Sequence, residues 1–335
     1  MIMIVGHHFA NMGVCHSMQG DAYELWMKGR ILNKFFVSFL LPGGMVGVGI
    51  FFMLTGYFMV NREKISLLKV IEELIIYGIF SVVIGVIAYF SGFEFSGLRV
   101  RDLLEWLIKS FVTPVTGNLW WFASAYVYLI LLLPVINGIL KKLNRKGLLV
   151  FLILFGFSAY LIDNIFGSPY GGVQKGIEFY CIGAYIKLYS SKKKKPRIHL
   201  VVLIISWIIC TCLYYFMNFC LANENQIKYQ VIYVALLWIL SSGPVIACSV
   251  SLFLWAQCLH FHSLRINCIA KTTFGIYLIH EGLFARWWIW KGLLKVDSIQ
   301  YFSKFFPLTA IASILIVFGV CSIIDYCRLT FLQPL

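Results

Sequence analysis

Between positions 200 and 221 the chain runs without a single charged side chain. As an α-helix such a run rises about 33 Å, enough to cross the roughly 30 Å hydrocarbon core of a bilayer. Similar apolar runs recur at about 43–60, 67–90, 119–140, 147–166, 172–189, 272–290 and 305–326, with one more inside 231–259. This recurrence predicts an all-α, polytopic membrane bundle of about ten helices. With 61% hydrophobic and 13% charged residues in 335, one membrane domain fills 1–335 and leaves no room for a separate soluble domain.

The first apolar run, 1–13, is too short. It rises only about 20 Å as a helix, so it reads as half a span: either the sequence starts inside the first helix or that helix is a half-membrane element. Residues 14–42 are polar and mixed, ending in the breaker Leu-Pro-Gly-Gly at 41–44. Inside the second run, Gly47, Gly49 and Gly56 allow another backbone to come close. Ser-Ser-Gly-Pro at 241–244 marks a break in the eighth.

The formal charge of +14 sits in the gaps between spans, as for loops held on a cytoplasmic face, and no nucleic-acid-binding pattern accompanies it. Segments 61–73, 141–147, 187–197, 259–271 and the C-terminus carry 16 of the 28 Lys and Arg but 4 of the 14 acids. Taking that side as cytoplasmic puts both termini inside. The densest basic run, Lys192 to Lys195, reads as a topology signal, with attraction of anionic lipid or a phosphorylated donor as the sharper alternative. The ten cysteines form no Cys-x-x-Cys pair and sit mostly in apolar runs as small hydrophobes, so no metal or disulfide framework is expected.

An ionisable group inside an apolar run is costly unless it faces other helices or a wet cavity, and two groupings of such residues stand out as functional candidates. His7 and His8 close the first run; the alternative is that both are solvated at the headgroup boundary. Near the other end stands Tyr277, then His280 and Glu281, then Arg286. On a helix Tyr277 and His280 share a face, so a phenol, an imidazole and a carboxylate can line one cavity, or form a cluster at the outer interface. Trp120 and Trp121 open the fourth span as a cavity wall or an interfacial belt.

Taken together these residues resemble membrane acyltransferase family 3. The histidines closing the first span, Phe-Phe-Met-Leu-Thr-Gly-Tyr at 51–57, Leu-Trp-Trp-Phe at 119–122 with Pro134, and Phe-Gly-Ile-Tyr-Leu-Ile-His at 274–280 occur in matching order. More narrowly, the chain resembles the Gram-positive branch of surface or capsular polysaccharide O-acetyltransferases. The resemblance implies a bacterial plasma-membrane enzyme that moves an acyl group, usually acetyl, from cytoplasmic acyl-CoA to a hydroxyl of a glycan or lipid-linked sugar. It implies His8 as the catalytic residue with His7 as second choice, and Tyr57, Trp120, Trp121, Tyr277, His280, Glu281 and Arg286 as cavity candidates. Arg62, Lys64 and Lys69 are the candidates for the donor's phosphates, in a segment less basic than in many relatives. No permanently bound cofactor or metal is implied; acetyl-CoA or another acyl-CoA is a substrate. The family arginine about three turns before the histidine falls before position 1. A transporter or exporter, or an inactive receptor of the same fold, is the competing reading, although no internal two-fold repeat accompanies it.

Overall fold

The computed structural model describes residues 1–15, 21–62, 67–92, 120–166, 171–190, 195–223, 227–259 and 262–331. Among these residues every regular element is helical. The chain opens with α1 (Ile2–Ala10), which continues as a π-helical segment (Asn11–Cys15). Then come α2 (Asp21–Lys28), α3 (Ile31–Leu40), α4 (Gly43–Met59) and α5 (Leu68–Phe90). The middle of the chain forms α6 (Trp121–Lys142), α7 (Arg145–Phe166), α8 (Gly171–Tyr189), α9 (Pro196–Leu221), α10 (Ile227–Ser242) and α11 (Pro244–Ala256). Last are α12 (Leu264–Lys271), α13 (Thr273–His280), α14 (Leu283–Trp287), π-helical segments Trp288–Leu293 and Val296–Gln300, and α15 (Phe306–Phe331).

Among the described residues five stretches are long and apolar enough to cross a membrane: Ile31–Met59, Leu68–Phe90, Trp121–Lys142, Pro196–Leu221 and Phe306–Phe331. Shorter apolar helices cover Ile2–Cys15, Ile227–Leu237 and Pro244–Ala256. The outer faces of the long helices are bare hydrocarbon: Ile204, Ile205, Ile208, Leu315, Ile316 and Ile323 are all exposed. Water disfavours so continuous an apolar surface, and lipid does not.

Two readings are corrected by this architecture. Residues 31–40, taken as part of a polar and mixed connection, are a helix that runs through Pro42 into α4 as one apolar stretch. The polar Asn33 that disguises it is buried, and its amide donates to the carbonyls of Tyr301 (2.6 Å) and Ser303 (3.0 Å). The ninth run is likewise not one helix, because it breaks after α13 at Glu281 and Gly282 before α14 begins. The break expected at 241–244 falls at Gly243, between α10 and α11.

Close packing depends on glycine at one seam. α4 lies against α8, with Gly56 facing the Tyr180 carbonyl and Gly183 facing the Met53 carbonyl, so a Cβ at either position would enter the other backbone. This is the small-residue approach expected of α4, and with no hydrophobic drive between helices in lipid it supplies much of the attraction. α1 is held between α4 and α15, with Ile4 against Gly47. Connection 99–109, Lys64, Leu119 and Lys192 to Lys194 lie outside the described residues.

Replacing Gly183 by Val should force the seam apart and lower stability by at least the roughly 1–3 kcal/mol typical of overpacking. The measurement is the thermal midpoint of the purified protein in detergent, and an unchanged midpoint would contradict the seam.

Candidate active site

The first helix brings the two histidines to different surroundings. Adjacent helical residues point about 100° apart, and here the division is complete. His7 turns toward α3 and α4: its Nδ1 donates to the Leu41 carbonyl at 2.7 Å, and its ring fills the space left by Gly44. His8 turns toward the far end of the chain and is 7% exposed.

What His8 meets is the C-terminal end of α13. Its Nδ1 lies 2.9 Å from His280 Nε2 and 3.3 Å from Glu281 Oε1. His280 is fully buried, and its own Nδ1 lies 2.5 Å from the Ile276 carbonyl one helical turn earlier. A carbonyl can only accept, so His280 Nδ1 carries the proton and His280 Nε2 is the bare nitrogen of the neutral ring. His8 Nδ1 must therefore donate, which leaves His8 Nε2 as a free lone pair.

The helix break completes the group. Because α13 ends at His280, Glu281 leaves the helical spiral and its carboxylate bridges two partners, with Oε1 toward His8 and Oε2 2.7 Å from Arg286 Nη2. Gly282 then caps α14, and Arg286 sits at the first turn, its amide bonded to the Gly282 carbonyl at 2.9 Å. A carboxylate 2% exposed would be expensive alone; the guanidinium balances it. His8, His280 and Glu281 also form the one trio among the described residues whose ligand atoms all lie within 4.8 Å of one another. A divalent ion there would place two positive charges beside Arg286 and replace the imidazole hydrogen bond, so the donor set suits a proton-handling pair better than a metal centre.

Tyr277 joins the same site, its ring centroid 6.4 Å from His8 and 6.3 Å from His280. It packs edge-on against Phe122, beside buried Trp120 at the start of α6. The remaining candidates lie elsewhere. Trp121 is 37% exposed and covers Gly172. Tyr57 packs on Phe253 and receives the Lys187 ammonium over its ring at 4.7 Å. Arg62 and Lys69 are exposed beyond the far end of α4, which from Gly44 to Met59 descends about 22 Å from the level of His7.

With this geometry in place, comparison with known proteins decides the family. The model described as an acyltransferase domain, that of acyltransferase family 3, matches residues 1–326. The chain belongs to that family. It is therefore a membrane acyltransferase, a transferase acting on groups other than aminoacyl groups. No curated protein and no solved structure matches the chain.

A second polar cluster escaped the sequence reading. Asp325, fully buried in α15, accepts from the Tyr77 hydroxyl and from Arg328 Nε at 2.6 Å, while Arg328 Nη2 donates to Glu73 at 2.9 Å. Its signal was the acid and the arginine three apart within an apolar run, the spacing of a helical ion pair. Asp325 reaches α13 at Gly275, and Glu73 stands two turns of α5 before Ser81, which faces Gly282. The cluster thus ties α5, α13 and α15 together beneath the histidines. Arg328→Met would leave two acids without a counter-ion, and a loss of about 3–5 kcal/mol in unfolding free energy is expected. Denaturant titration in detergent measures it, and Arg328→Lys should lose less.

Proposed function

We propose that the chain transfers an acyl group, acetyl in the first instance, from acyl-CoA to a hydroxyl of a cell-surface or lipid-linked glycan, with His8 Nε2 as the general base. The observation that carries this reading is the chain of hydrogen bonds from the Ile276 carbonyl through His280 to His8, which leaves His8 Nε2 bare. A sugar hydroxyl is a poor nucleophile until its proton is drawn off, and a neutral imidazole within reach does so for a gain of about 10²- to 10⁴-fold. As His8 takes that proton it becomes cationic. Its Nδ1–H then lies between a neutral imidazole acceptor and the Glu281 carboxylate, both of which stabilise the charge. Arg286 keeps Glu281 in place and offsets its charge before the proton arrives.

The family resemblance supports acetyl-CoA as the donor, approaching from the cytoplasm in a bacterial plasma membrane with both termini inside. Arg62 and Lys69, exposed on the face where α4 ends and α5 begins, are the described candidates for its phosphates. An apolar crevice of about 240 Å³ beside the first turns of α1, lined by Ile2, Met3, Gly6 and Trp207 among others, favours a lipid-linked acceptor whose hydrocarbon lies along the helix. Lipid and glycan are then the partners, and no nucleic acid is involved. His7, anchored on Leu41, positions α1.

The test is the acetyl content of surface polysaccharide in a deletion strain complemented with each variant. His8→Ala should abolish the acetyl groups, His280→Ala should lower them about 10²-fold or more by freeing the tautomer, and His7→Ala should leave a substantial part. Normal acetylation from His8→Ala would overturn the assignment of the base. Failure of the wild-type gene to restore any acetyl group would favour the transporter or receptor reading.

A further inference from the structure

Of the four tyrosines that are fully buried among the described residues, three have an acceptor for the phenolic proton. Tyr180 donates to Asn137 Oδ1 at 2.7 Å, Tyr301 to the Trp26 carbonyl at 2.8 Å, and Tyr77 to Asp325. Tyr277, 2% exposed, is the exception: its hydroxyl finds no hydrogen-bond partner among the described residues. A buried O–H left without an acceptor is destabilising by about 1–3 kcal/mol; the Ser38 and Ser81 hydroxyls share that condition, and Tyr277 is set apart from them by its place beside the His8 and His280 rings, where a ligand would satisfy it.

The surroundings specify what that ligand must bring. Tyr277 stands at the start of the 22-residue helix α6, whose first residue is Trp121 and whose N-cap, Trp120, provides no side-chain cap. The backbone amide of Phe122 lies beside the phenol, outside hydrogen-bond geometry, and the Phe122 ring packs on it at 5.0 Å. First-turn N–H groups lack intrahelical partners and carry the positive end of the helix dipole. Trp120, 1% exposed at the same helix end, also has an indole N–H with no acceptor among the described residues, as Trp26 and Trp290 do elsewhere. Among the described residues the hydroxyl and the indole thus have no acceptor, and the first-turn N–H groups of α6 lie beside them. A neutral or anionic oxygen acceptor is the group that completes them.

Resting on the acyl-transfer reading above, we propose that Tyr277, assisted by Trp120 and the N-terminus of α6, forms the oxyanion site that receives the carbonyl oxygen of the acyl thioester. The acceptor hydroxyl oxygen bonds to the carbonyl carbon as His8 Nε2 takes its proton, and the carbonyl π pair moves onto the oxygen facing Tyr277. When that pair returns, the carbon–sulfur bond breaks and the leaving thiolate takes the proton from His8. The products are the ester and the free thiol, so nothing else is consumed. Such donors act on charge that appears only in the transition state, which is why removing one lowers kcat with little change in KM.

The experiment follows thiol release from acetyl-CoA by the full-length protein in membranes, with de-acetylated surface polysaccharide from the deletion strain as acceptor. Tyr277→Phe keeps the ring contact with Phe122 and removes only the oxygen. It should lower kcat roughly 10²- to 10³-fold while KM for acetyl-CoA stays within about twofold. Trp120→Phe should also lower kcat, by about tenfold or more, whereas Tyr89→Phe on the exposed face of α5 should change neither parameter. Activity of Tyr277→Phe within about threefold of wild type, or a rise in KM with kcat intact, overturns the oxyanion site. If His8→Gln is inactive in the same assay while Tyr277→Phe is not, the base assignment survives and this proposal falls; a wild-type protein that releases no thiol overturns both.

Discussion

The hydrogen bond from His8 to His280 joins residues 272 positions apart and gives the site its direction. A histidine in a membrane domain is chemically ambiguous, because either ring nitrogen can hold the proton. Here the ambiguity is removed from outside the ring. α13 offers the Ile276 carbonyl to one side of His280, His280 offers its bare nitrogen to His8, and the lone pair of His8 is left on the side away from both. A backbone carbonyl inside a helix thereby sets which atom of another helix can act as a base.

The rest of the fold serves to hold α1 and α13 at that separation. α1 is wedged between α4 and α15, and His7 pins its register to the turn before α4 through Leu41. α13 is fixed from below by Asp325 and its partners on α5 and α15, and from above by the Glu281–Arg286 pair across the helix break. Both anchors are charged pairs buried in apolar surroundings. Such pairs contribute little net stability relative to a well-packed apolar core, but breaking one leaves a lone buried charge, which penalises any arrangement other than this one.

The membrane class was legible because its physics is one-dimensional: the uncharged run at 200–221 lies within α9, and the apolar run at 305–326 nearly coincides with α15. α3 was not legible, because Asn33 and Ser38 lower the hydropathy of a helix that satisfies Asn33 on carbonyls far along the chain. The break after His280 was hidden as well, since Glu281-Gly282 reads as an ordinary helix continuation until Arg286 and His8 are known to claim the carboxylate. Spacing could place Tyr277 and His280 on one face. It could not bring His8 to them, and the family resemblance supplied that expectation. Nor could spacing separate His7 from His8, which differ only in the helices their side chains meet.

The claim on which this account rests is the tautomer of His8, and nitrogen NMR of the full-length protein labelled with ¹⁵N-histidine reads it directly. Protonated and bare imidazole nitrogens resonate far apart, and His8→Gln and His280→Gln spectra assign the two rings. The account predicts a protonated Nδ1 and a bare Nε2 on both His8 and His280 at neutral pH, with the two coupled through the shared hydrogen bond. A bare Nδ1 on His8, with its proton on Nε2, would contradict it.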